Sequence, residues 1–215
     1  MEQILIPLKG SRLASDIDFP RDRQSARGMV VFVHGSGVDR HDARNRSVAQ
    51  VLRDAGFATV LIDLLQPHES HERHNVFDVE AQAGRLAAAL EWLQEHFPPA
   101  TGLFGTGVGA GVALLAAARN PARVSAIVLR GGRPDTASYS LAGVEAPTLF
   151  IVDGPDQEPW GRDAMARMPG EKDLVIVPSP SQLFDEPGAA VADHARRWFS
   201  RHVGGPAAAP QRACA

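Results

Sequence analysis

The chain has one cysteine, no excess of basic residues and no long apolar run. A lone cysteine cannot build an internal disulfide framework, and the position of Cys214 in a Gly/Pro/Ala-rich tail sets thiolate catalysis aside. With 22 Lys+Arg against 25 Asp+Glu, a net charge of −3 and a pI near 6.2, nothing draws phosphate backbones or anionic membranes from a distance. Nucleic acid and membrane are therefore excluded as expected partners, and a small-molecule ligand is the expectation. No stretch approaches the ~18 apolar residues of a membrane span. Met1 to Pro7 lacks the basic start and apolar core of a signal peptide, so the expected location is the cytoplasm.

What is present is 44% hydrophobic content over 215 residues, enough for one sizeable core and short for two. The expectation is one domain over residues 1–203 and a disordered tail over 204–215. Residues 3–8 and 12–18 alternate around Lys9-Gly10-Ser11 and predict an antiparallel hairpin. Met29-Val30-Val31-Phe32-Val33 is a continuous apolar run, as in a strand buried on both faces. Val48, Val51, Leu52 and Ala55 share a helical face ended by Gly56, and Phe57 to Ile62 is the next strand.

A polar loop from Asp63 to Val76 leads to a helix over 78–96, in which Val79, Ala83, Leu86, Leu90 and Leu93 advance by threes and fours. A strand through Gly102-Leu103-Phe104 and a glycine turn then open an alanine-rich helix from Val108 to Arg119. Strands at 124–129, 148–152 and 174–177 and helices at 158–168 and from Pro187 complete the chain. Strands alternating with helices pair in parallel through right-handed crossovers, which predicts a three-layer α/β sandwich. Its strand-to-helix loops share the carboxyl edge of the sheet, so any site lies there. No insertion is long enough for a lid; the rim is open unless a second subunit covers it, as in a homodimer.

The motifs Val33-His34-Gly35-Ser36-Gly37, Arg44-Asn45-Arg46, Leu61-Ile62-Asp63-Leu64-Leu65, Gly102-Leu103-Phe104-Gly105 and Leu183-Phe184-Asp185-Glu186-Pro187-Gly188 occur in this order. Together they resemble the small, lidless α/β-hydrolases of the dienelactone-hydrolase type, over about Ile4 to His202. The resemblance implies the α/β-hydrolase fold and a nucleophile elbow of the pattern GxSxG, whose central residue sits on a strained strand-to-helix turn. The family's serine falls on Gly107, its acid on Asp156 and its histidine on Gln182. Its oxyanion donors would be the backbone N–H of Ser36 or its neighbour Gly35, and that of Val108; amides survive side-chain substitution.

Glycine has no attacking atom and glutamine no titratable proton, whereas acyl transfer needs both a nucleophile and a base. In a well-studied protease, loss of either costs ~10⁶ in turnover. The resemblance with this substitution implies a degenerate triad: a non-hydrolytic pseudoenzyme whose old active site binds a small anionic or carbonyl-bearing ligand. One alternative is an enzyme of changed reaction type, an isomerase, cyclase or lyase using the oxyanion hole. Another is residual ester or lactone hydrolysis through Thr106, Ser36, Ser179 or Ser181.

Asp156 reads as a relic, a loop cap or a ligand-facing carboxylate. Arg44 and Arg46 open a helix where a carboxylate or phosphate could bind, or they pair with Asp39, Asp42 or Asp63. His34 is a base in principle, although its family counterpart is structural. His68, His71 and His74 sit three residues apart on a polar loop; the expectation is a solvated loop and no metal. Gly105 to Gly109 is not a dinucleotide fingerprint, because the following strand ends Leu129-Arg130 without an acid, and no cofactor is expected.

Overall fold

Glu2–Leu8 (β1) and Ser11–Asp18 (β2) pair antiparallel, with Glu2 opposite Ile17 and Leu8 opposite Ser11. The computed structural model describes residues 1–35, 38–97, 100–177 and 187–204. Ser36, Gln182, the segment 178–184 and the tail beyond Gly204 lie outside the described residues. The parallel part of the sheet is built from Met29–Val33 (β3), Ala58–Ile62 (β4), Thr101–Thr106 (β5), Ala126–Arg130 (β6), Thr148–Asp153 (β7) and Lys172–Val177 (β8). The order is β1-β2-β4-β3-β5-β6-β7-β8, with β2 antiparallel to β4.

The helices Ala43–Asp54 (α1), Arg73–Phe77 (α2), Val79–His96 (α3), Val108–Arg119 (α4), Glu158–Arg167 (α5) and Pro187–His202 (α6) connect and cover the strands. On one face Val30, Phe32 and Phe104 pack with Val48 and Leu52 of α1 and Val191, Ala195 and Phe199 of α6. On the other, Val31, Val33 and Leu103 meet Leu86 and Leu90 of α3 and the buried residues of α4. Alternation along β3 thus feeds both cores, which is why its five residues are all buried and all apolar. Phe32 and Phe104 pack across neighbouring strands, tilted by 40° with centroids 5.0 Å apart.

Two segments differ from the sequence reading. The loop after β4 contains the five-residue helix α2, held by Gln82, whose Nε2 donates to the carbonyls of Asn75 and Val76 at 3.0 Å. The connection after β6 coils as 3₁₀ turns over Pro134–Gly143, burying Ala137 and Leu141. No helix among the described residues is long and apolar enough to cross a membrane.

Candidate functional site

The turn between β5 and α4 is set by one residue, Gly107, at φ 58° and ψ −126°. This is backbone that side-chain-bearing residues rarely adopt, and glycine occupies it without strain. A Cβ built on Gly107 would meet only Gly35, its Cα at 3.5 Å and its N at 3.9 Å, both ordinary contacts. Space for a side chain therefore remains where none exists. Gly35 is different: a Cβ there would stand 2.7 Å from the Val108 amide nitrogen and 3.1 Å from the Thr106 carbonyl oxygen. Glycine at 35 lets the chain leaving β3 lie on the turn. The Val108 N–H, at the first position of α4, has no intrahelical acceptor, and Gly107 supplies no side-chain cap.

On the far side of the turn, Asp156 lies in the 3₁₀ turn Pro155–Gln157, exposed and making no hydrogen bond or ion pair among the described residues. It does not cap the loop. The carboxylate fixed at this strand end is Asp153, the last residue of β7, with Oδ2 3.8 Å from Nε of Arg130. Its Oδ1 and the Gln157 Oε1 are buried without a hydrogen-bond partner among the described residues. The end of the apolar run at Val152 is the sequence signal that puts Asp153 at the strand end.

On the near side, a cleft of 590 Å³ opens between the chain leaving β3 and the chain leaving β4. Val38, Leu64, Leu65 and Val76 give it apolar walls, and His34, Gly35, Arg40 and Asp63 line it too. His34 Nε2 lies 3.0 Å from Asp63 Oδ1. Asp63 also accepts the Arg40 backbone N–H at 2.9 Å and the Arg40 guanidinium. Burial opposes the Asp63 charge, but the hydrogen bonds from His34 and Arg40 outweigh it and hold the carboxyl below its ordinary range. Arg40 in turn reaches the buried Asp16, at 3.3 Å, and Arg46 meets the same carboxylate at 2.9 Å.

Arg44 takes the pairing alternative. Asp42 caps α1, accepting the N–H groups of Arg44 and Asn45 at 3.0 Å, and the Arg44 guanidinium binds the same carboxylate. The helix N-terminus is thus already occupied by an anion belonging to the chain. Among the described residues no three His, Cys, Asp or Glu side chains converge as metal ligands. Of the three loop histidines, His71 lines the cleft. That loop is tied to α3 by Arg85, which grips Glu69 through two bonds of 2.6 Å and donates to the Leu64 carbonyl at 2.8 Å.

With this geometry in hand, similarity to known proteins is informative. The family model for the alpha/beta hydrolase fold matches residues 28–149. A dienelactone hydrolase from Anabaena variabilis is 41% identical with a TM-score of 0.85, over 94% of this chain and 97% of that one. A lidless α/β serine hydrolase from Xanthomonas campestris shares the fold at 17% identity and a TM-score of 0.74, over 95% of each chain. Two proteins of Mycobacterium tuberculosis, provisionally named phosphoribosyl transferases, are 50% identical over 190 residues, 85% of this chain. The chain spans 43% of the length of these curated relatives.

Proposed function

The chain belongs to the alpha/beta hydrolase fold family, and we propose that it is a non-hydrolytic member binding a small carbonyl-bearing ligand beside the vacant elbow. The observation that carries the reading is Gly107: the elbow backbone is kept and the attacking atom is missing. In this proposal the Val108 N–H donates to the ligand's carbonyl oxygen, and glycine at 35 spares that amide a Cβ 2.7 Å from its nitrogen. Ser36, Gln182 and Asp156 complete the old site in the proposal, as oxyanion neighbour, histidine position and acid position.

Of the two ligand classes raised by the sequence, the carbonyl compound is favoured over the anion. Arg40, Arg44 and Arg46 are each engaged by a carboxylate of the chain, so an incoming anion would compete with Asp63, Asp42 and Asp16. The same pairing argues against carrying the transferase name of the M. tuberculosis relatives over to this segment, since a phosphorylated sugar needs unspent cations.

The test is ester and lactone hydrolysis, with fluorophosphonate labelling, by the native protein and by the variant carrying Gly107→Ser and Gln182→His. The native protein is expected to stay at background and unlabelled, and the double variant to gain turnover. Native turnover above background, or native labelling, would overturn the reading and move attention to Thr106, Ser36, Ser179 or Ser181. A second reading, chemistry without an acyl intermediate, rests on the His34–Asp63 pair on the cleft wall.

A further inference from the structure

We infer that the cleft between the chains leaving β3 and β4 is a binding site of its own for a monocationic amine, an ammonium group carried on an apolar body. Neither Gly107 nor Val108 lines this cleft, so the site is separate from the elbow and does not depend on the carbonyl reading.

Hydrogen-bond donors and acceptors on the cleft wall are out of balance. Gln82, on α3, lines the cleft and is only 5% exposed. The carbonyls of Asn75 and Val76 both face one end of its amide at 3.0 Å, which makes that end Nε2 and spends its two hydrogens. The other end, Oε1, accepts no hydrogen bond among the described residues and is not sealed from solvent. Gln66 repeats the pattern: its Nε2 donates to the Arg12 carbonyl, and its Oε1 has no partner among the described residues. The Ser70 hydroxyl donates to the Pro67 carbonyl at 2.8 Å. The amide and hydroxyl donors of the wall are thus used inside the protein, while its amide oxygens stay open. An occupant has to bring the hydrogens.

Charge points to the same occupant. Three carboxylates line the cleft, those of Asp39, Asp42 and Asp63. Asp42 is matched by Arg44 and Asp63 by Arg40, while Arg46 matches the Asp16 carboxylate that Arg40 also touches. Asp39 has no ion pair among the described residues; its Oδ1 accepts the His41 backbone N–H at 2.8 Å, and its Oδ2 is unspent. One carboxylate is left for one positive charge. His34, His41 and His71 also line the cleft and leave this balance unchanged while they are neutral, so the test is run at pH 8. The remaining walls, Val38, Leu64, Leu65 and Val76, are apolar, and 590 Å³ is the size of a small-molecule site. A bare metal ion would leave those walls uncovered, whereas an amine on a hydrocarbon body covers them and sets its N–H groups against the open oxygens.

The probe is 4-phenylbutylamine, titrated by calorimetry beside two compounds with the same body, 4-phenylbutan-1-ol and 4-phenylbutyrate. The amine is expected to bind ~5-fold or more tighter than the alcohol, which has a donor and no charge, and the carboxylate to bind weakest. Asp39→Asn keeps an oxygen for the His41 N–H and removes the charge; it should erase the advantage of the amine and leave the alcohol unchanged. Asp54→Asn, which removes the same charge from an exposed position on α1, should keep that advantage. Leu65→Trp, which fills the cleft, should abolish binding of both compounds. An amine that does not bind, or that binds no tighter than the alcohol or the carboxylate, overturns the inference. So does an advantage that survives Asp39→Asn or is lost in Asp54→Asn, or amine binding that survives in a folded Leu65→Trp protein. None of these results bears on the ester and lactone assay, which tests the elbow alone.

Discussion

Replacing Gly107 by alanine isolates the conformational cost of the elbow. At φ 58° and ψ −126° a residue with a side chain pays ~1 to 3 kcal/mol, and glycine does not. Steric cost adds little, because the added Cβ would meet the Gly35 Cα at 3.5 Å, an ordinary contact. For a domain of this size each kcal/mol moves the thermal midpoint by ~2 to 4 °C, so Gly107→Ala should lower it by ~2 to 12 °C. The assay is thermal and urea unfolding followed by far-UV circular dichroism, with unchanged cooperativity as the check that the same state unfolds. A shift below ~1 °C, or a rise, would refute the claim that the turn is strained for other residues. Gly35→Ala is the internal control. Its Cβ would stand 2.7 Å from a backbone nitrogen, so the loop after β3 must move and the loss should exceed that at Gly107.

Phe104→Ala empties a ring that is 1% exposed and packed against Phe32; a loss of ~3 to 5 kcal/mol in urea unfolding is expected, and less than ~1.5 would mean that this face of the sheet is not packed as described. Arg85→Met cuts the tie between α3 and the 64–72 loop; hydrogen exchange there should speed up while α4 keeps its protection, and uniform loss would show that the tie is not local. Acid should weaken the fold, because Asp42, Asp63 and Glu69 all titrate below their ordinary range. For Glu69 the hydrogen bonds from Arg85 bring the value to about 2 from 4.5; its stabilisation is complete above 4.5 and disappears as pH falls toward about 2. Glu69→Gln should flatten urea midpoints across that window, and parallel curves for variant and native protein would contradict the assignment.

The strands were legible wherever burial is two-sided. Residues 29–33 and 149–152 carry no break in apolar character, and the structure bounds these two strands within a residue of the sequence reading. Helix α4 was equally legible, because a glycine turn and Asn120-Pro121 mark its two ends. The five-residue α2 was not: it lacks room for a repeat of apolar positions, and its support comes from Gln82 on the next helix. The site divides the same way. Gly107 could be read from a local pattern, since a strand, a glycine turn and a helix are consecutive. The His34–Asp63–Arg40 network could not, because its partners are 29 and 23 residues apart. Only the parallel pairing of β3 with β4, which sets Val33 opposite Ile62, makes the two following residues neighbours. Asp42 was one of three candidates for Arg44, and the short span of a helix cap selected it.

The position of that network relative to the elbow bears on what chemistry the site can support. In the sheet order β4-β3-β5-β6-β7-β8, the turn at Gly107 follows β5, His34 and Asp63 follow β3 and β4, and Asp156 follows β7. The family's acid position therefore falls on one side of the elbow and the paired titratable groups on the other. A hydrolytic base must reach both the attacking atom and the leaving group, and a histidine on the β3 side of an elbow without a nucleophile has neither to serve. On the β3 side His34 is held by the Asp63 carboxylate, and Gly35 lies against the turn that opens α4.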